Sequence, residues 1–455
     1  MALWDNLQEG LLNLLAVEHL YCRFQFDNIR LASYTPKFTV MNTETQPSFN
    51  PSFDPLIPHP VHVKDPYKVY SELRVHAPMY RSPHGIWIAS RHKEMIQLLR
   101  DPQFGRGYFY FENMAERLGP SILKQPMYDS ARNMMLMKDG NEHQRIRNLL
   151  EHSFSPKSIE KLRDFMQETI NELIDNVFDK EEFDVMADLA FPLPSAVICH
   201  LLGVPKTDWS KFSHRSATGS RALEPAPLSP LELMQQNKSV TDFREYFAWL
   251  IEQKRKAPGN DLTSILVAAT DVGNQITLPE CIDNLRMMFI GGQETAVNTI
   301  GNGILALYQH PDQLIKLKDN PSFLASTIVE ILRYDSPVQI TPRQAREDVM
   351  IGGVSVKAKE TILCILASAN RDPEAWDSPD CFDISRKASY PLSFGGGPHY
   401  CIGDHLGKLE AEVALKTIIH RLPNLHINTT SPQWLSGTVV FRGLKTLPAT
   451  NHRGI

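Results

Sequence analysis

The sequence has 455 residues, 42% of them hydrophobic, and its 47 Lys and Arg against 52 Asp and Glu give a net charge of −5. This composition is typical of a large globular protein, and the length alone suggests about two to three domains. The slightly acidic balance argues against a nucleic-acid partner, because such a partner calls for a basic surface. The six cysteines are scattered without a C-x-x-C pair, which favours free thiols in a reducing cytosol and predicts a cytoplasmic protein.

Residues 1–50 form a predicted N-terminal extension. Leucines between Leu11 and Leu20 predict a short amphipathic helix over residues 6–21, and residues 42–60 have the Pro, Ser, Thr and Asn content of a linker. The apolar run is shorter than the roughly 20 residues that a spanning helix needs, and no basic region with a cleavage site precedes it. We therefore expect no transmembrane anchor, and we expect the helix to pack on the rest of the protein or on a partner.

Strand patterns at the front of a mostly helical chain predict an α+β fold, mainly α with a smaller β-rich region. Residues 66–75 have a helical pattern, and residues 79–90 read as a pair of strands. Four consecutive aromatic residues follow at 108–111, among Gly, Pro and Asn. They belong either to the core or to the lining of an apolar pocket.

His143 and Arg147 lie four residues apart on a helix that the turn at Asp139 and Gly140 opens. This spacing puts both side chains on one face of the helix. If that face points inward, the two groups need an anionic partner. If it points outward, it is an ordinary exposed polar face.

A long helix is predicted from the cap at Thr277 to His310, with Glu280 at the capping-box position. Its middle contains Gly291 and Gly292, each of which costs about 1 kcal/mol relative to Ala in a helix interior. Glu294 and Thr295 follow directly in an otherwise apolar span. The glycines leave room for a ligand, and Thr295 can hold water or dioxygen there. The alternative is close helix packing at the glycines with a back-bonded Thr.

Glu330 and Arg333 lie at i, i+3 on the next predicted helix and can form an ion pair. An isolated pair of this kind on a surface stabilises a protein very little. Arg343 follows Pro342 at the end of a predicted strand over residues 338–341.

The most constrained stretch is residues 394–403, which read Phe-Gly-Gly-Gly-Pro-His-Tyr-Cys-Ile-Gly. Glycines allow positive φ and the close approach of a flat ligand. A thiolate at Cys401 is a soft metal ligand, and no second Cys or His lies at zinc-like spacing. The alternative is a glycine-rich turn around a buried structural Cys.

Residues 394–403 resemble the haem-thiolate loop of the cytochrome P450 superfamily. Three further motifs occur in the order of that family: His143 with Arg147, Glu294 with Thr295, and Glu330 with Arg333. The resemblance covers about residues 50 to 450. It implies the cytochrome P450 fold, with one haem-thiolate monooxygenase domain over residues 51–455 and haem b (iron protoporphyrin IX) as the cofactor.

The resemblance also implies roles for individual residues. Cys401 would be the iron ligand, and Glu294 and Thr295 would order water and relay protons. The residues expected to bind the cofactor are His143, Arg147, Arg343, Phe394, His399 and Gly403. The ion pair of Glu330 and Arg333 would be buried behind the Cys401 loop. A third Arg often joins that pair, but Cys381 stands where it is usually found, and Arg386 is the candidate substitute.

The activity implied is hydroxylation or epoxidation of an apolar small molecule with dioxygen. No G-x-G-x-x-G lies between a strand and a helix, so the electrons would come from a separate ferredoxin with its reductase or from a flavodoxin. Residues 369–373 resemble a segment of soluble bacterial members, among which polyketide and antibiotic tailoring hydroxylases are the most similar in character. For such enzymes the substrate is either free or carrier-bound.

Two other functions stay open. A haem-thiolate peroxygenase or isomerase needs no reductase, but such relatives often lack the acid–Thr pair that this chain has at Glu294 and Thr295. A non-catalytic haem gas sensor needs neither a wide apolar pocket nor a proton relay. For a catalytic pocket, the candidate lining segments are residues 104–128, 215–240, 338–341 and 438–442. The second of them includes the Pro-rich stretch 224–230, predicted to be a loop of the mobile kind that often gates a site.

Overall fold

The structure is a computed structural model that describes residues 53–56, 64–212, 221, 223–271, 275–387 and 390–451. The predicted helix over residues 6–21 and most of the predicted linker lie outside the described residues. Residues 48–455 form one compact unit.

Helices make up most of the described chain, which confirms the mainly α prediction. In chain order they are Tyr67–His76 (α1), His92–Arg100 (α2), Tyr110–Leu118 (α3), Pro126–Asn133 (α4), Gly140–Glu151 (α5), Pro156–Glu160 (α6), Arg163–Phe178 (α7), Pro192–Leu202 (α8), Pro230–Lys256 (α9), Leu262–Asp271 (α10), Leu278–Gln309 (α11), Pro311–Asp319 (α12), Leu324–Tyr334 (α13), Leu366–Ala369 (α14) and Asp404–Arg421 (α15). A π-helical turn, Met186–Ala190, precedes α8. The helix predicted over residues 66–75 is α1.

The strands form a smaller β region. They are Met79–Arg81 (β1), Trp87–Ala89 (β2), Phe104–Gly105 (β3), Glu182–Asp184 (β4), Ile340–Ala345 (β5), Val349–Ile351 (β6), Val354–Val356 (β7), Thr361–Ile365 (β8), Leu425–Ile427 (β9), Gln433–Trp434 (β10), Leu444–Thr446 (β11) and Pro448–Asn451 (β12). The largest sheet has the order β1-β2-β8-β5-β3, and β4-β12-β9, β6-β7 and β10-β11 pair separately. The predicted strand pair over residues 79–90 is β1 with β2.

Helix α11 begins where its capping signals predict. Thr277 Oγ1 accepts from the Glu280 N–H over 3.3 Å, and Glu280 Oε2 accepts from the Thr277 N–H over 3.0 Å. Most residues of α11 are buried, and the helix packs against α8, α9 and α15. A helix that is buried on nearly all sides lies in the protein interior. Among the described residues, no helix is both long and apolar enough to cross a membrane.

Register in the largest sheet decides which side chains meet at its edge. Strand β5 pairs antiparallel with β8, so Thr341 lies opposite Cys364 and Arg343 lies opposite Ile362. Strand β3 pairs with the other side of β5, with Gly105 opposite Gln344. The residue after β3, Arg106, is therefore brought next to Arg343, although the two residues are far apart in the sequence.

The four aromatic residues at 108–111 are half-buried. Tyr110 packs against a small buried cluster formed by Met127, Tyr128 and Val240. The other three rings lie beside cationic side chains, such as Arg132 at 5.3 Å from the Phe111 ring. One member of the run thus belongs to a core cluster, while the others lie between core and surface.

Candidate active site

The loop before α15 is closed by backbone hydrogen bonds around Cys401. The Cys401 N–H donates to the Phe394 carbonyl over 2.9 Å, and the Tyr400 N–H donates to the Gly397 carbonyl over 3.0 Å. Gly397 has a φ of +64°, and a Cβ at this position would lie 2.1 Å from the Leu99 carbonyl oxygen. Only glycine fits such a backbone, which fixes how the loop rests on α2.

The Cys401 side chain is exposed even though the loop around it is densely packed. Its surroundings raise the pKa of the thiol to about 11, chiefly through desolvation, while the Gly403 N–H directed at the sulfur opposes this rise. A metal cation reverses this balance, since a coordinating thiol is deprotonated. Among the described residues, no three His, Cys, Asp or Glu side chains are grouped to hold a metal ion.

Two arginine side chains lie close together beside the loop, and neither forms an ion pair with a carboxylate of the described chain. Arg106 Nη1 donates to Thr341 Oγ1 over 2.9 Å, and Arg343 Nη1 donates to the same oxygen over 3.4 Å. Arg343 is 2% exposed, and within the described chain neither Arg forms an ion pair. Burial and the charge of Arg343 lower the pKa of Arg106 to about 9. The Nε of Arg106 is buried and has no hydrogen-bond partner in the described chain.

Asp139, His399 and His143 complete this cluster. His399 Nε2 lies 2.8 Å from Asp139 Oδ1, and its ring centroid is 4.3 Å from that of His143. Burial lowers the pKa of His399 to about 4, in spite of the bond to Asp139. Burial opposes ionisation of Asp139, but the bond from His399 and two backbone N–H groups hold its pKa at about 2. At neutral pH His399 is therefore uncharged and donates to an ionised Asp139.

Two glycines bring Arg106 to this position. A Cβ at Gly105 would lie 2.4 Å from the Tyr108 ring, and one at Gly107 would lie 2.0 Å from the Met137 carbonyl oxygen. The Gly107 N–H donates to Asp139 Oδ2 over 2.7 Å. Sequence reasoning missed Arg106, and the Gly-Arg-Gly triplet is the signal that could have drawn attention to it.

Arg147 faces the Cys401 loop. Its Nη1 donates to the carbonyl oxygens of Tyr400 over 2.8 Å and Pro398 over 3.2 Å, and its Nε pairs with Glu151. The Arg147 side chain is 14% exposed, so it does not point to solvent. These contacts tie α5 to the two residues on either side of His399.

The glycine pair in α11 has two different surroundings. A Cβ at Gly292 would lie 2.9 Å from Ile198 Cδ1 on α8, whereas nothing lies within 4 Å of one at Gly291. Thr295 shares the open side with Gly291, because Thr295 Oγ1 donates to the Gly291 carbonyl over 2.8 Å. Both alternatives from the sequence therefore apply, one to each glycine: Gly292 permits close helix packing, and Gly291 leaves open space beside a back-bonded Thr295.

Glu294 is buried next to Thr295. Asn298 Nδ2 donates to Glu294 Oε1 over 3.4 Å, one helical turn further along α11. Asn298 is itself fixed by Gly443, where a Cβ would lie 1.9 Å from Asn298 Oδ1. The acid–Thr pair thus lies beside the open face of the long helix, and the acid is hydrogen-bonded to Asn298.

Glu330 and Arg333 form a buried bidentate pair on α13. Arg333 Nε and Nη2 donate to the two Glu330 oxygens over 2.7 and 2.8 Å. Arg386 Nε also donates to Glu330, over 3.1 Å, so it is the third member of this group. The Cys381 carbonyl accepts from both Arg333 and Arg386 over 3.0 Å. Cys381 thus takes part in this group through its backbone carbonyl, while Arg386 supplies the third charged side chain.

Comparisons with known proteins give a consistent result. A family model described as Cytochrome P450 matches residues 80–433. Cytochrome P450 monooxygenase PikC of Streptomyces venezuelae is 34% identical over 400 residues, which are 86% of this chain and 92% of PikC. Polyketide biosynthesis cytochrome P450 PksS of Bacillus subtilis (strain 168) is 32% identical over 396 residues, 85% of this chain and 96% of PksS. The crystal structure of P450BioI in complex with hexadec-9Z-enoic acid ligated acyl carrier protein superposes with a TM-score of 0.78 and 32% identity, covering 86% of this chain and 100% of that one.

The chain therefore belongs to the cytochrome P450 family. It has the fold of that family and is a monooxygenase, an oxidoreductase that acts on paired donors with incorporation of molecular oxygen. Its cofactor is haem b.

The residues present fit this cofactor. Cys401 offers a soft sulfur donor with an exposed side chain. Haem b carries two carboxylates, and Arg106 and Arg343 are cations that form no ion pair with a carboxylate in the part of the chain that the structure describes. The unbonded, buried Nε of Arg106 is the clearest sign that an anion is expected at this place, because a buried charged donor is costly without one.

Proposed function

We propose that Cys401 binds the haem iron as a thiolate and that the chain is a monooxygenase of apolar small molecules. The observation that carries this proposal is the position of an exposed thiol, in a loop that only glycines permit, beside the guanidinium groups of Arg106 and Arg343, neither of which forms an ion pair in the described chain. The Gly403 N–H directed at the sulfur supports the same assignment, since it stabilises a thiolate. Phe394 would shield the sulfur from water, and its ring is packed between Tyr400 and Lys408.

We propose that the haem carboxylates are held by Arg106 and Arg343, together with His143, Arg147 and His399. Arg106 and Arg343 are favoured as the main partners because each keeps guanidinium donors that no carboxylate of the described chain uses. Arg147 contributes through the one nitrogen that its contacts leave over, Nη2. His399 contributes as a neutral donor or acceptor, since its charge is suppressed by burial.

The chain's own residues would bind water and transfer protons on the open side of α11. When bound, the haem iron supplies activation of dioxygen for insertion into the substrate. Thr295 Oγ1 has its hydrogen committed to the Gly291 carbonyl, so its oxygen is free to accept a hydrogen bond from water or substrate. Glu294, held by Asn298, would take up a proton from water and return it to the same side of the helix.

We propose a separate ferredoxin with its reductase, or a flavodoxin, as the electron donor, because the sequence has no G-x-G-x-x-G between a strand and a helix. We further propose a cytoplasmic location, which the free cysteines of the described chain support: Cys199, Cys281, Cys364, Cys381 and Cys401.

The substrate class is proposed from similarity. PksS is named for polyketide biosynthesis, and P450BioI was crystallised with an acyl carrier protein bearing a fatty acid. We therefore propose that this enzyme hydroxylates or epoxidises an apolar intermediate of secondary metabolism, free or carrier-bound.

Turnover of an apolar test substrate would check the proposed reaction. We expect product with NADPH and a surrogate ferredoxin and reductase, and little product with hydrogen peroxide alone. Equal turnover with peroxide alone would favour a peroxygenase. Haem binding with no product under either condition would favour a gas-binding protein.

A further inference from the structure

A second buried guanidinium, that of Arg286 on α11, lacks an acceptor for most of its donors. Arg286 is 5% exposed, and its Nη2 donates to Ser130 Oγ on α4 over 3.1 Å. Its Nε is buried and has no hydrogen-bond partner in the described chain. Because a guanidinium has five N–H donors, burying it with so few acceptors is costly unless another molecule supplies one.

The neighbouring carboxylate of Asp283 is already fully used. Its Oδ1 accepts from Ser130 Oγ over 2.6 Å and from Arg244 Nε over 2.8 Å. Its Oδ2 accepts from Asn133 Nδ2 and from Arg244 Nη2, each over 2.7 Å. A carboxylate has about four acceptor positions, so Asp283 has none left for Arg286. Within the described residues Arg286 accordingly forms no ion pair, whereas Arg244 does.

The charges around Arg286 leave it a cation that can attract an anion. Burial lowers the pKa of Arg286 to about 10, and nearby Arg244 lowers it further while Asp283 opposes the change. Arg286 therefore stays protonated at neutral pH. The other acid of this group, Asp129, pairs with Arg244 and its side chain is 51% exposed, so water screens its charge.

Arg286 lies at one end of the open side of α11. Most residues of this helix are buried, but Gly291 is exposed and Met287, Ile290 and Thr295 are only partly buried. Arg286 is four positions before Ile290 and so shares its side of the helix. Nine positions separate Arg286 from Thr295, which corresponds to about 13 Å along the helix axis. An extended acyl chain of medium length spans that distance.

We infer that Arg286, together with Ser130, binds the carboxylate of a free acyl substrate whose apolar chain runs along the open side of α11 towards Thr295. Arg286 is a specificity-determining residue in this arrangement, because it holds the end of the substrate that does not react. The inference rests on the proposed function, since it assumes that oxidation takes place beside Thr295. It narrows the substrate to a free acid, because the thioester of a carrier-bound acyl group has no charge at that end.

Calorimetric titration of the haem-loaded enzyme with dodecanoic acid and with methyl dodecanoate tests this subsite. The ester keeps the chain and the carbonyl oxygen but removes the charge. We expect the parent enzyme to bind the acid about tenfold more tightly than the ester or better, since hydrogen bonds to charged groups are the stronger ones. Equal affinities for acid and ester in the parent would show that water alone satisfies Arg286 and would overturn the subsite.

Two variants locate the preference at Arg286. In Arg286→Met the affinities for acid and ester should become nearly equal, through weaker binding of the acid. Lys238→Met removes one positive charge from an exposed position of α9 and should keep the preference of the parent. If Arg286→Met does not load haem, Arg286→Gln, which keeps a donor but no charge, takes its place with the same expected result. A preference as large as in the parent would overturn the assignment to Arg286.

This inference and the proposed function can fail separately, because calorimetry detects binding without turnover. If the acid is preferred through Arg286 but no oxidised product forms with NADPH and surrogate redox partners, the subsite stands and the proposed function fails. If acid and ester bind equally and both are oxidised, the proposed function stands and the subsite is rejected.

Discussion

The guanidinium groups of Arg106 and Arg343 converge on one hydroxyl oxygen, Thr341 Oγ1, at 2.9 and 3.4 Å. Two like charges approach this closely in a folded protein only where an anion or strong solvation offsets their repulsion. Because neither guanidinium forms an ion pair with a carboxylate of the described chain, we assign that anion to the cofactor.

This assignment predicts weaker haem retention in Arg106→Met. The change keeps the packing of the side chain but removes a charge-assisted partner of a carboxylate, so haem loss to apomyoglobin should become about tenfold faster. Arg117→Met, at an exposed position of α3, should lose haem at the original rate. Equal rates in the two variants would show that Arg106 does not contact the cofactor.

Thr295→Ala is predicted to uncouple electron use from product formation. The variant keeps the open side of α11 but loses the oxygen that accepts a hydrogen bond there, so more NADPH should end as peroxide while substrate binding is retained. Thr295→Ser should behave like the parent enzyme. The ratio of product to NADPH consumed is the measurement, and an unchanged ratio in Thr295→Ala would remove this residue from the mechanism.

Glu330→Gln is predicted to destabilise the fold strongly. It leaves Arg333 and Arg386 without the carboxylate they share, and breaking a buried pair costs about 3–5 kcal/mol. Urea unfolding of the haem-loaded protein would show a much lower midpoint. Glu142→Gln removes an exposed partner of Lys138 and should cost under about 1 kcal/mol. Similar midpoints for the two variants would contradict a structural role for the Glu330 group.

Some of these relationships could be predicted from sequence and others could not, for a physical reason. The capping box of α11 and the Glu330–Arg333 pair are local, since their members lie three residues apart and helix geometry brings them together. The haem-thiolate loop could be predicted because glycines stand at the fixed places where its backbone conformation requires them. Arg106 reaches Thr341 only through the pairing of β3 with β5, and no local pattern encodes that register.

Long-range contacts account for the other omissions. The sequence predicts that Asp139 is part of a turn, but its carboxylate also accepts from His399 and from the backbone beside β3. Glu224 lies in a Pro-rich stretch whose loop character was predicted, while its partners are in the 438–440 turn. Arg386 was only a candidate for the third member of the Glu330 group, and the geometry of the loop before it decides that role.

Glu410 gives a prediction about pH. Both of its carboxylate oxygens are buried without a partner in the described chain, and burial raises its pKa well above the usual range. A raised folded-state pKa means that the folded protein loses stability as pH rises above the unfolded value of about 4.3. Glu410→Gln should therefore match the parent near pH 4 and be more stable at pH 7 to 8.

Denaturant unfolding across this pH range would check the prediction. Glu412→Gln is the control. Glu412 lies on the same helix, α15, and pairs with Arg163, so this variant should not gain stability with rising pH. If Glu410→Gln is less stable than the parent at pH 7, the Glu410 carboxylate has a stabilising partner that the contacts of the described chain do not include.

The most direct test of the account is the reduced carbon monoxide spectrum of Cys401→Ala. The parent protein should give the red-shifted band that a thiolate ligand produces, and Cys401→Ala should lose it while Cys381→Ala, which alters an exposed thiol, keeps it. Persistence of the red-shifted band in Cys401→Ala would contradict thiolate ligation by Cys401.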